Sequence, residues 1–115
     1  MSSTLYHNPR CSKSRQTLQL LNEQGVDLDV VEYLKTPPDY ETLDNILNML
    51  NMEPRELMRK GEDEYSQQGL DNSSLGREQL IQAMLDTPKL IERPILIKDG
   101  KAVIGRPPEL VLELI

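Results

Sequence analysis

The 115-residue chain has one cysteine, one histidine, no tryptophan and no phenylalanine. With Cys11 alone, no internal disulfide can form. No amino-terminal stretch joins a basic flank to a continuous apolar segment, which argues against secretion and predicts a cytoplasmic protein whose thiol stays reduced. Apolar runs are only a few residues long, far short of the ~20 that cross a bilayer, so no membrane association is expected. A formal charge of -6 and few aromatics argue against a nucleic-acid binder, which needs a basic face and stacking rings. Metal is not expected, because one cysteine and one histidine are too few for a soft-metal site and the acidic residues do not follow a calcium-loop pattern. Neither a dinucleotide fingerprint nor a Walker spacing occurs, so no bound cofactor is expected.

What is present alternates in type. Ser3-Thr4-Leu5-Tyr6 reads as a strand running into the turn signal Asn8-Pro9. Cys11, Ser14, Leu18 and Leu21 then fall on one helical stripe that Gly25 can close. Asp29-Val30-Val31-Glu32-Tyr33 is a second strand, parallel to the first through a βαβ crossover. Leu43, Ile46, Leu47 and Leu50 predict a helix, and Pro54 suits the first turn of a short one carrying Leu57, Met58 and Arg59. From Lys60 to Ser74 there is little apolar periodicity, which predicts a mobile, partly helical connection. Leu80, Ile81, Met84 and Leu85 restore the stripe until Pro88. Ile95-Leu96-Ile97-Lys98 and Lys101-Ala102-Val103-Ile104 flank Asp99-Gly100, the signature of a type I′ hairpin. Leu110, Val111, Leu114 and Ile115 predict a last amphipathic turn or two. The order βαβ, helices, ββα is that of an α/β, thioredoxin-like fold with a small mixed sheet: a single domain over 1–115 with a helical insertion at roughly 39–88 after strand 2. Folds of this type commonly hold a cis proline before the third strand, here Pro94, although a trans bond is favoured on frequency alone.

Cys11 stands where a strand gives way to a helix, in Tyr6-His7-Asn8-Pro9-Arg10-Cys11-Ser12-Lys13-Ser14-Arg15. A lone cysteine elsewhere would read as a small buried hydrophobe. Here the positive end of the helix and the cations Arg10, Lys13 and Arg15 favour a thiolate, making Cys11 a candidate nucleophile. Ser14 holds the place of a dithiol oxidoreductase's second cysteine. Its hydroxyl could donate to the sulfur or simply bond backbone at the helix start, but it cannot resolve a mixed disulfide. An external thiol, glutathione or a small redox protein, must therefore release whatever Cys11 forms. His7 could tune the thiol as imidazolium or as a neutral acceptor, or could face solvent at the strand end. A cysteine phosphatase would need arginine where Thr17 stands.

Three arginines complete the candidates. Arg93 precedes Pro94 at a strand start, and Arg106 lies in Gly105-Arg106-Pro107-Pro108 just after the hairpin. The proposed topology carries both toward the first helix's amino terminus, where planar guanidinium forks suit a tetrahedral oxyanion. Arg59, at the end of a short helix, has no such topological argument. Singly, each reads as a solvated surface charge.

The segments His7 to Arg15, Glu56-Leu57-Met58-Arg59-Lys60, Leu90-Ile91-Glu92-Arg93-Pro94-Ile95 and Gly105-Arg106-Pro107-Pro108-Glu109 together resemble the glutaredoxin-coupled arsenate reductase family, closest to a compact bacterial branch of it. The resemblance spans nearly the whole chain with its motifs in order. It implies a thioredoxin-like fold, Cys11 as nucleophile, Arg59, Arg93 and Arg106 as an oxyanion-binding triad, and His7 and Ser14 as supports of the thiolate. It also implies reduction of arsenate to arsenite through a covalent thiol-arsenic intermediate, with glutathione as co-substrate and glutaredoxin as partner. The fold also resembles Spx-like regulators, which bind RNA polymerase and use a Cys-x-x-Cys switch whose second sulfur Ser14 replaces here. A general monothiol oxidoreductase acting on glutathione mixed disulfides is the other alternative.

Overall fold

A computed structural model describes residues 3–115. It divides into two compact units, residues 3–36 with 93–115, and residues 37–92.

The first unit holds a four-stranded sheet of order β2-β1-β3-β4, built from β1 (Ser3–His7), β2 (Leu28–Glu32), β3 (Ile95–Lys98) and β4 (Lys101–Ile104). Central β1 pairs parallel to β2, Leu5 opposite Val30, and antiparallel to β3, Leu5 opposite Leu96. Helix α1 (Ser12–Glu23) joins the two parallel strands. Leu5, Leu21, Leu96 and Val111 form the core, with Leu18, Val26 and Val103 packed against it. Gly25 follows α1 with φ +68°, the left-handed conformation in which glycine lacks the Cβ penalty. The β3–β4 hairpin turns through Asp99 (φ 52°) and Gly100 (φ 75°), both positive as a type I′ turn requires. The chain's last turns are a 3₁₀ helix, Pro108–Glu113, with Pro108 and Val111 buried.

The second unit is helical: α2 (Tyr40–Leu50), α3 (Pro54–Leu57), α4 (Asp63–Gln67), α5 (Arg77–Asp86) and a 3₁₀ turn, Pro88–Leu90. Asp39 caps α2 by accepting a 2.8 Å hydrogen bond from the Thr42 amide. Leu43, Ile46 and Leu47 of α2 and Leu80, Ile81 and Met84 of α5 are buried, and Arg77 of α5 pairs with Asp44 of α2 at 2.7 Å. The stretch from Lys60 to Ser74, expected to be a mobile, partly helical connection, carries the short α4 and is tied into this unit. Tyr65 and Leu70 are buried within it, and Arg55 Nε donates to the Leu70 carbonyl at 3.0 Å. Two apolar anchors at uneven spacing leave no periodic trace, and for that reason pattern reading passes over them. No helix among the described residues is long and apolar enough to cross a membrane.

Candidate active site

β1 ends at His7, and the four residues to Cys11 turn the chain into α1. Asn8 organises this turn from a buried position. Its carbonyl accepts from the Cys11 amide and its Oδ1 from the Arg10 amide, both at 3.0 Å, while Arg15 Nη1 donates to the Pro9 carbonyl at 3.0 Å. Cys11 is not in the first helical turn as expected but is the N-cap itself, with extended backbone (φ -93°, ψ 124°). A sulfur there stands where a capping oxygen would, facing the helix's unpaired amides.

Burial raises the pKa of the half-buried Cys11 thiol, but the Ser14 backbone amide, the Arg93 guanidinium and the Lys13 backbone amide outweigh it, and the pKa lies below its ordinary value. No strict side-chain capping bond closes at this N-cap; the amides act as nearby donors favouring the charged sulfur. The source of the effect differs from the sequence expectation. The side chains of Arg10, Lys13 and Arg15 are exposed, and the groups at the sulfur are the backbone amides and Arg93, which lower its pKa, with Arg106 within hydrogen-bond distance. Short-range donation to the sulfur outweighs cations that extend into water.

Ser14 is fully buried, and its hydroxyl serves His7 and Asn8: Oγ lies 2.6 Å from His7 Nδ1 and accepts from the Asn8 amide at 3.0 Å. Only the backbone of Ser14 acts on Cys11, so the hydroxyl-to-sulfur bond entertained from sequence is replaced by this network. His7 is only 5% exposed, which sets aside the solvent-facing reading. Burial lowers its pKa, Glu32 opposes the shift and Arg15 adds to it. The neutral imidazole is favoured, with Nδ1 hydrogen-bonded to the Ser14 hydroxyl.

Arg93 and Arg106 meet at the sulfur. Arg106 Nη2 donates to Cys11 Sγ at 3.4 Å, and its Nε to the Arg93 carbonyl at 2.9 Å. Arg93 both hydrogen-bonds to the thiol and acts on it through charge. Each arginine precedes a cis proline: Arg93–Pro94, anticipated from the fold, and Arg106–Pro107, which was not. Gly105, next to Arg106, is buried, and its amide donates to the Pro94 carbonyl at 2.9 Å. Sequence reasoning gave no role to Asn8 or Gly105; the Asn-Pro and Gly-Arg-Pro-Pro turns around them were the available signals.

Arg59 belongs to the second unit and does not end a short helix as expected: α3 stops at Leu57, and Met58 is already extended (φ -78°, ψ 143°) and bridges to Ile91. The Arg59 amide donates to the Leu90 carbonyl at 2.7 Å, and its Nη1 pairs with Glu92 at 2.9 Å. The structure thus brings Cys11, His7, Ser14, Arg93 and Arg106 together within one unit, while Arg59 is fixed by contacts of its own unit. A sulfur with a lowered pKa beside two guanidiniums is equipped to attack an electrophilic centre that carries anionic oxygens.

Comparison with known proteins agrees with that chemistry. The ArsC family matches residues 6–114. The uncharacterized protein YfgD of Escherichia coli K12 is 60% identical over 112 residues, covering 96% of this chain and 94% of its own. An arsenate reductase of Neisseria meningitidis serogroup A is 49% identical over 106 residues, 91% of each chain. Among solved structures, an arsenate reductase from Vibrio cholerae matches with a TM-score of 0.97 and 47% identity, covering 100% of this chain and 98% of that one.

Proposed function

The chain belongs to the ArsC family, and from that premise we propose that it is a cytoplasmic arsenate reductase that uses glutathione and glutaredoxin. The observation that carries the reading is the Cys11 sulfur, with its lowered pKa, beside Arg93 and with Arg106 Nη2 at 3.4 Å. Arsenate offers what this arrangement recognises, a tetrahedral oxyanion around an electrophilic atom. Arg93 and Arg106 would hold its oxygens. His7 and Ser14 would keep the start of α1, and so the thiolate, in place.

The chemistry follows from the single thiol. Cys11 thiolate attacks arsenic(V), an arsenic–sulfur bond forms, and one oxygen leaves as hydroxide or water. Glutathione replaces a second oxygen, again releasing water. A glutaredoxin thiolate then attacks the glutathione sulfur. A sulfur–sulfur bond forms, and the arsenic–sulfur bond to glutathione breaks with its electron pair left on arsenic, now arsenic(III). Water finally displaces Cys11, which leaves as thiolate, and arsenite departs. Both electrons come from the two external thiols joined as a mixed disulfide, so no bound cofactor is needed and Ser14 need not be a cysteine.

The test is a coupled assay following NADPH oxidation through glutathione reductase, with glutathione and glutaredoxin supplied. Turnover should depend on arsenate and vanish in Cys11→Ser. Folded protein with no arsenate dependence overturns the reading, and turnover of a glutathione mixed disulfide in its place would assign the general monothiol activity instead.

A further inference from the structure

We infer that Gly105 and Thr17 are positioning residues for the thiolate: their close approach seats the start of α1 against the turn that carries Arg106 and against Pro94, and so fixes both guanidiniums on Cys11. The observation is steric. A Cβ added to Gly105 would lie 2.8 Å from Thr17 Oγ1, 2.9 Å from Pro94 Cγ and 3.2 Å from Thr17 Cγ2, closer than real side-chain carbons approach such atoms.

Neither neighbour is free to step aside. Thr17 is completely buried, and its Oγ1 donates to the Lys13 carbonyl at 2.8 Å, which fixes its rotamer on the same helix that presents Cys11. The Pro94 carbonyl accepts the Gly105 amide at 2.9 Å, and Pro94 directly follows Arg93, one of the groups that lower the Cys11 pKa. On the other side of Gly105, Arg106 turns sharply, its amide donating to the Ile104 carbonyl at 2.9 Å. Its guanidinium then spans from the Arg93 carbonyl to the sulfur. Any atom inserted at Gly105 must therefore push α1 from the turn, or Pro94 from the turn. The first motion carries Cys11 away from Arg106, and the second carries Arg93 with its proline. A charge-assisted contact of this length does not survive much displacement. Gly105 has no positive φ, so the requirement is for space alone.

Gly105→Ala tests this without arsenate, so its outcome is independent of the proposed activity. In the pH dependence of Cys11 alkylation by iodoacetamide, the midpoint should move upward. The rate at neutral pH should fall about tenfold, the size expected when a hydrogen bond to a charged group is largely lost, with the limiting rate at high pH unchanged. Adding Thr17→Ala, which removes both offending Thr17 atoms but leaves the 2.9 Å approach to Pro94 Cγ, should return the profile part of the way to wild type. A folded Gly105→Ala protein with the wild-type midpoint overturns the inference, whatever its melting temperature, because a merely structural glycine would change stability alone. If Gly105→Ala does not fold, the double variant decides. Recovery of fold with a midpoint at or only partly above the wild-type value supports the inference; recovery of fold with the midpoint of a free thiol overturns it, and no recovery overturns the role given to Thr17.

Discussion

The two units bury different kinds of side chain. The buried polar residues, Ser3, His7, Asn8, Ser14 and Thr17, all lie in the first unit, whereas the second buries Leu43, Ile46, Leu47, Leu57, Leu80, Ile81, Met84 and other apolar side chains. Its ion pairs, Arg77–Asp44, Lys89–Glu64 and Arg59–Glu92, are partly exposed. A buried polar group costs stability unless it is hydrogen-bonded. A cluster of such groups under the start of α1 is therefore retained for what it positions, while the helical unit rests on apolar burial. Four of the five lie in the β1–α1 turn or the first turns of α1: His7 and Ser14 bond one another, Asn8 shapes the turn, and Thr17 abuts Gly105.

Substitutions should separate along this line. The largest effect is expected from Leu47→Ala in the completely buried core of the second unit, a loss of about 2–5 kcal/mol by urea unfolding. Where the variant stays folded, its Cys11 alkylation profile should match wild type; a shifted midpoint would break the division. Arg106→Ala should do the reverse. Arsenate turnover should drop about 10²–10³-fold, as when one oxyanion donor is removed, with a melting temperature close to wild type. A comparable loss of stability instead would make Arg106 a structural residue.

Ser14→Ala sharpens the comparison inside the first unit. It strips His7 Nδ1 and the Asn8 amide of a buried partner, which should cost about 1–3 kcal/mol. The alkylation midpoint should rise only slightly, because the hydroxyl reaches the thiol only through the turn it braces, while the Ser14 amide stays in place. A large upward shift would restore the hydroxyl to a direct role on sulfur.

The smallest effects are in pH. Burial lowers the His7 pKa, so below ~6.5 the unfolded chain takes up a proton that the folded chain resists. Stability should be fully present above that pH and decline as the pH falls toward the folded value. The Asp39 carboxyl is likewise held below its ordinary pKa, by its hydrogen bonds with Thr42. Its contribution is present above ~3.9 and lost only in stronger acid, as the pH falls through the folded value. Between pH 7 and 5, urea midpoints of His7→Gln should therefore flatten while those of Asp39→Asn keep the wild-type slope. Equal slopes in both variants would remove the distinction.

Legibility in the sequence followed the range of the interaction. The stripe of α2, the Asp99-Gly100 hairpin and Pro54 at the start of α3 are local signals, and each element began where its pattern stood, although α3 stops at Leu57 and leaves Met58 and Arg59 outside it. α4 was obscured because Tyr65 and Leu70 are anchored by contacts rather than by periodicity. At the site, Cys11 was legible from its place at a strand-to-helix junction. The hydroxyl of Ser14 was not, because its partners on His7 and Asn8 depend on how the turn closes.

By itself, the sequence determined that one thiol must act without an internal partner, so any redox cycle must be completed from outside. That follows from covalent chemistry and needs no coordinates. The tertiary structure alone decided which cations serve that thiol. The charges adjacent in sequence, Arg10, Lys13 and Arg15, extend into solvent, whereas Arg106, 95 residues away, reaches the sulfur. The physical reason is that local patterning sets where strands and helices form, but strand order and close packing, as at Gly105 against Thr17, set which of their ends share a site.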